Sequence, residues 1–230
     1  VLLVAQQVDI MLSHPNNQNR NDAKEFVALM TPIIKAFLSD LGFEATNSAL
    51  HIWGGHGYIQ DNELEQFTRD AKITQIYEGT NGIQALDLVT RKISSNNGRN
   101  VEKVFDLIGS FIKENQSNKA GAEYIKRLQL IFGDLKDITK YINDRQIQDK
   151  DFVAGSASDY LKLFGLVLLA YVWARMAIVS NTKSKKEDFY RSKIVSANFY
   201  YDKILPQSVA LVASIKAGCV SMVDFSKQSF

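Results

Sequence analysis

The 230-residue chain has a single cysteine, Cys219, so an internal disulfide is excluded, and a reducing compartment, the cytoplasm, is the expected location. It has three prolines and thirteen glycines, too few turn formers for an all-β fold and suitable material for long helices. Charge of one sign is also lacking: the net charge is +2, which gives no electrostatic reason to expect a nucleic-acid partner. The most apolar run, "LFGLVLLAYVWA" (163–174), falls short of the ~20 residues a membrane helix needs. It reads as a buried core helix, and no transmembrane segment is expected. "VLLVAQQVDIML" (1–12) carries Gln6, Gln7 and Asp9 and has no basic leader, so it is not expected to be a signal peptide. Because the first residue is Val, the chain is expected to begin inside a larger protein. What the sequence does have is 46% hydrophobic residues against 23% charged, enough to bury a core.

Apolar periodicity predicts an all-α protein with two modules, 1–96 and 97–230, joined near "SSNNGRN" (94–100). Residues 2–13 form a helix stopped at "SHPNN". A long helix runs from Asp22 to Trp53, with Phe26, Leu29, Ile33, Phe37, Leu41, Ala45, Ala49 and Ile52 as one buried stripe. Helices follow at Glu63–Ile73 and Thr80–Ile93, around a bend at Tyr77–Gly82. The second module predicts an antiparallel bundle of four helices, 101–116, 119–142, 154–180 and 187–217. Ser156 or Ser158 would cap the third, and Pro206 would kink the fourth. The stripe Phe189, Tyr190, Phe199, Tyr200 and Tyr201 suits core or subunit contact rather than a ligand box.

Two glycine-rich breaks stand out. "WGGHGY" places three glycines in four positions after a long helix. One glycine suffices to stop a helix; three leave bare backbone that another helix or a cofactor phosphate can approach. The spacing is that of neither a Walker loop nor a dinucleotide fingerprint. "YEGTNG" puts Glu78 beside a turn. A lone glutamate is ordinarily a solvated charge, but Ile73, Ile76 and Tyr77 are apolar and no Lys or Arg flanks the turn. A carboxylate in an apolar pocket becomes a better proton acceptor. His14, His51 and His56 lack metal-ligand spacing and no metal site is expected. Cys219 has no His or Asp constellation to make it a nucleophile.

The run "ALHIWGGHGYIQDNELEQFTRDAKITQIYEGTNGIQALDLVTRKI" (49–93), with its GGxGY break, RDAK tetrad and YEGT turn, resembles the C-terminal helical domain of the acyl-CoA dehydrogenase family. Residues 158–177 and 189–218 are similar to the extra helical domain of a longer bacterial subgroup. The resemblance implies an FAD-dependent α,β-dehydrogenation of an acyl-CoA thioester. Glu78 matches the base that takes the α-proton, a hydride passing from the β-carbon to flavin N5. Gly79, Thr80 and Asn81 match positions along the flavin, and Tyr77 lies in the substrate region. His51, Gly54, Gly55 and Gly57 match a segment that reaches the FAD of a neighbouring subunit. Arg69 matches an arginine expected to order the region through an ion pair. The resemblance further implies a homo-oligomer, an electron-transfer flavoprotein-type acceptor, and two preceding domains without which these residues are expected to show no turnover. The alternative is a non-catalytic helical interaction or oligomerisation module derived from that family.

Overall fold

A computed structural model describes residues 1–183 and 187–224. Among them there are helices and no strands, so the protein is all-α as its composition requires. It divides into two compact units, Val1–Lys92 and Ile93–Phe230.

The spine of the first unit is α2 (Asn17–Ile52), against which α1 (Leu2–Ser13), the single turn α3 (Gly55–Tyr58), α4 (Leu64–Thr74) and α5 (Asn81–Asp87) pack. α2 starts five residues earlier than the apolar pattern predicts, because Asn16 caps it: its side chain accepts from the N–H groups of Gln18 (2.8 Å) and Asn19 (3.2 Å). The helix continues through the buried Pro32. Its apolar stripe is buried only at Phe26, Leu29, Ile33 and Phe37, with Ala85, Leu88 and Val89 completing the core. Leu41 is half-buried, Ala45 and Ala49 are exposed, and Ile52 is 85% exposed. The second half of the expected stripe is therefore open in this unit. α5 is extended by a π-helical turn, Leu88–Lys92.

In the second unit α6 (Arg99–Asn115) packs on α7 (Ala122–Asn143), and α8 (Lys150–Thr182) packs against α7, α9 (Asp188–Phe199) and α10 (Gln207–Ala217). A final turn, α11 (Val220–Val223), contacts α8. Three consecutive left-handed residues, Asn96, Asn97 and Gly98, make the bend before α6. The cap of α8 is Asp149, whose Oδ1 accepts from Phe152 N–H (2.9 Å), not a serine; Ser156 is buried inside the helix and donates to Phe152 O. The expected last helix is split. A π turn at Tyr200–Ile204, with Leu205 N–H bonding to Tyr200 O, precedes Pro206, and α10 starts beyond it. That turn aims both Tyr200 and Tyr201 into the core, where their hydroxyls donate to Leu166 O (2.6 Å) and Ala170 O (2.9 Å) of α8. Phe189 and Phe199 of the same aromatic stripe are exposed.

α8 buries residues along most of its length, from Phe152 to Ser180, around a few exposed positions such as Ser158, Lys162 and Arg175, which suits a core helix. The run 163–174, too short to span a membrane by itself, lies inside it. By length and composition both α2 and α8 are long and apolar enough to cross one, and the most apolar stretches are 39% and 61% buried within the chain.

Candidate functional site

α4 ends at Thr74, and the chain tightens through Ile76 N–H to Ile73 O (3.0 Å) and Tyr77 N–H to Ile73 O (3.1 Å). It then reverses through two left-handed residues, Glu78 (φ 54°) and Gly79 (φ 83°). The reversal closes where Asn81 N–H meets Gln75 O at 3.1 Å. Thr80 starts α5 by accepting the Ile83 N–H on its hydroxyl (3.3 Å). A left-handed glutamate costs on the order of 1–3 kcal/mol and persists only where its surroundings over-determine it.

Those surroundings are visible. Gln84 Nε2 donates to Glu78 O (3.0 Å), and Lys35 Nζ, from the middle of α2, donates to Gly79 O (2.6 Å) and to Asn81 Oδ1 (2.8 Å). Asn81 Nδ2 lies 2.6 Å from Asp40 Oδ1, 2.9 Å from Ser39 Oγ and 3.2 Å from Ala36 O. Gln75 Nε2 also donates to Asp40 Oδ1 (2.7 Å). The turn is thus bolted to α2 by a part-buried polar network. Gly79 is needed for its φ, and a Cβ there would lie 3.1 Å from Gln84 Nε2. The N–H groups of Glu78, Gly79 and Thr80 have no acceptor among the described residues. Three successive free amides on a left-handed turn form a concavity that suits an oxyanion or a polar ligand edge.

The residues expected at the site fall into different roles. Glu78 is exposed, and the dry pocket expected around it is not formed within this unit. Ile73, Ile76 and Tyr77 are each about half exposed, at 52%, 51% and 52%. The reason is topological: α4 and α5 both lie against α2, which leaves the turn between them at the rim. Asn81 spends its side chain on α2, and Thr80 spends its hydroxyl on the cap of α5. Arg69 is exposed and makes no ion pair among the described residues. Of the glycines at the other break, Gly54 has φ 59°, and Gly57 is buried with no room for a Cβ, which would meet Leu50 O at 2.5 Å. A Cβ on Gly55 would meet nothing within 4 Å. His51 is exposed in the last turn of α2, its carbonyl accepting from Gly54 N–H (3.0 Å).

The fold does not bring the two breaks together. The Glu78 turn is tied to α2 as far along as Asp40, and the glycine break begins after Ile52; twelve residues of helix put them about 18 Å apart along the axis. Lys35, Ser39, Asp40, Gln75 and Gln84 were not singled out by sequence reasoning. A signal was available in "KAFLSD": a lysine and a serine four apart, followed by an aspartate, on an otherwise apolar stretch of helix.

A family model described as "Acyl-CoA dehydrogenase, C-terminal domain" matches residues 13–93, and one described as "Acetyl-CoA dehydrogenase C-terminal like" matches residues 104–226. The second alone covers more than half of the chain. The chain belongs to the acyl-CoA dehydrogenase family. Among its relatives, a butyryl-CoA dehydrogenase of Syntrophomonas wolfei is 24% identical over 90% of this chain and 35% of its own length. A 3-methylmercaptopropionyl-CoA dehydrogenase of Ruegeria pomeroyi is 26% identical over 87% of this chain and 35% of its own length. The broad-specificity linear acyl-CoA dehydrogenase FadE5 of Mycobacterium tuberculosis is 30% identical over 77% of this chain and 31% of its own length. The chain thus spans about a third of the length of these three relatives. Its two units carry the two matched C-terminal domains in order.

Proposed function

We propose that this chain is the C-terminal part of an FAD-dependent acyl-CoA dehydrogenase in which Glu78 removes the α-proton of an acyl-CoA thioester. One observation carries the reading: in a chain of this family, a strained glutamate is presented on a rigid turn whose own amides are free. A base of this kind must be held against the α-carbon while the thioester carbonyl is polarised, since the α C–H is a weak acid. The Glu78 carboxylate takes the proton, and the Glu78 N–H donates to the thioester oxygen that gains charge. The half-exposed apolar side chains of Ile73, Ile76 and Tyr77 bound the place where an acyl chain lies and, once covered, exclude water from the carboxylate.

The residues present fit one edge of FAD in each of two places. Bare backbone at Gly54 and Gly55, next to His51, can be approached closely, and at the other break the N–H groups of Gly79 and Thr80 are free donors beside Asn81, whose own N–H is held by Gln75 O. When bound, FAD accepts the hydride that leaves the β-carbon. The separation of about 18 Å along α2 supports a reading in which the two breaks serve different flavins, which makes the enzyme a homo-oligomer. An electron-transfer flavoprotein-type acceptor, a cytoplasmic location and the absence of turnover from these 230 residues alone belong to the same proposal. The burial of α8 supports a core rather than a membrane role for it.

The test is Glu78→Gln in the enzyme carrying all domains and FAD. Dehydrogenation of a saturated acyl-CoA falls about 100-fold or more while flavin absorbance is retained. Unchanged turnover removes Glu78 from the mechanism. The exposure of Glu78 in this chain favours a second reading, a non-catalytic interaction module; under it, the enzyme with all domains shows no turnover even with Glu78 intact.

A further inference from the structure

We propose that Lys35 is a positioning residue for the reaction: its ammonium holds the peptide after the base and so sets where the Glu78 carboxylate stands. This rests on the reading of Glu78 as the base. Lys35 reaches the turn from 44 residues upstream in sequence, part-buried, with Nζ 2.6 Å from Gly79 O and 2.8 Å from Asn81 Oδ1. Both distances are those of charge-assisted hydrogen bonds, which are shorter and stronger than neutral ones. The Glu78 carbonyl is held from α5 by Gln84, and the Gly79 carbonyl from α2 by Lys35. Two peptide planes bracketing Gly79 are therefore pinned from opposite elements, and the backbone at 78–79 has little freedom to relax into an unstrained conformation.

Among the described residues, Lys35 is the one cation that donates to a backbone carbonyl of the turn; Lys72 Nζ reaches only the side chain of Gln75 (2.9 Å). Ser39 and Asp40 cannot replace it, because they hold Asn81 and Gln75 and never touch a backbone carbonyl of the reversal. Removing the ammonium leaves Gly79 O without its donor and Asn81 Oδ1 with only the Ser39 hydroxyl, at 3.2 Å. Glu78 and Gly79 can then leave the left-handed region, which carries the Glu78 Cα–Cβ bond away from its direction. A misplacement of about 1 Å at a reacting group is worth roughly 100-fold in rate.

The experiment compares Lys35→Met and Lys35→Arg with the parent, both in the FAD-loaded enzyme with all domains and in the 230-residue chain. With a saturated acyl-CoA such as butyryl-CoA, Lys35→Met lowers kcat about 10–100-fold, KM stays within about 3-fold, and the isotope effect with α-deuterated substrate rises, because proton removal has become the slower step. Lys35→Arg, which keeps a cationic donor, recovers a substantial part of kcat. In the 230-residue chain, amide exchange at the Asn81 N–H speeds up several-fold in Lys35→Met, while α7 and α8 exchange as in the parent. That measurement involves no substrate, so it reports on the clamp even if Glu78→Gln shows that Glu78 is not the base. Unchanged exchange at Asn81 overturns the clamp. Faster exchange with unchanged kcat and isotope effect overturns its part in the reaction. If Lys35→Met perturbs α7 and α8 as well, Lys35→Arg decides: full loss of kcat with normal exchange at Asn81 overturns the proposal, and partial recovery supports it.

Discussion

Two neighbouring glycines show how residue-scale geometry separates packing from ligand binding. Gly57 sits against the backbone of Leu50, which cannot move aside, so Gly57→Ala destabilises the chain by about 1–3 kcal/mol, read as a lower denaturation midpoint. Gly55 faces open space, so Gly55→Ala leaves the midpoint of the chain unchanged. Under the proposed function it weakens FAD retention in the enzyme with all domains, measured by flavin release. Equal stability losses from the two substitutions would contradict this geometry. Glu78 could be picked out in the sequence by the YEGT turn, but its exposure could not, because exposure depends on which helices cover the turn. Lys35 was only half legible for the same kind of reason: "KAFLSD" marks a polar set on an apolar stretch of helix, but a hydrogen bond across 44 residues leaves no local sign of which turn that set meets.

At the scale of elements, helix existence followed from apolar period, and helix ends followed from capping chemistry. α8 begins at Lys150 because Asp149 satisfies one of the free N–H groups of its first turn. Asp149→Ala costs about 1 kcal/mol in the denaturation of the second unit, whereas a serine at position 149 restores most of it. The same substitution at Ser158 leaves stability nearly unchanged, since that residue does not cap. The last helix was legible as an apolar period over 187–217, but its split was not. Pro206 lacks the N–H that would continue the ladder, and the π turn before it lets two consecutive tyrosines face α8, which a regular helix turns about 100° apart. Residues 184–186, just before that expected helix, lie outside the described residues.

The whole molecule stores its largest titration effect in three buried phenols of the second unit. Burial holds the hydroxyls of Tyr160, Tyr200 and Tyr201 well above the ordinary phenol value near 10.0. Thr139 gives its only hydroxyl hydrogen to Leu135 O, so Tyr160 donates to Thr139, a bond that requires the protonated phenol. A group whose pKa is raised by folding contributes stability below its unfolded value and loses it above. Here the unfolded chain gives up three protons above pH ~10 that the folded unit keeps, so stability falls with rising pH, by up to about 4 kcal/mol per pH unit. Against a total of about 5–15 kcal/mol, this unfolds the unit within a few pH units of 10. Helical circular dichroism and phenolate absorbance should change together; phenolate from all three tyrosines appearing before any loss of helix would contradict their burial.

The sequence by itself determined the all-α class, nearly every helix and the family, since apolar period and a fixed run of motif residues are local properties that do not depend on what packs where. Only the tertiary structure decided that half of the α2 stripe stays open, that the two glycine breaks lie far apart along one helix, and that a lysine of α2 grips the turn beside Glu78. Those facts depend on which surfaces meet across long stretches of chain, and spacing along one helix, even where it marks a polar set as in "KAFLSD", does not say what that set meets.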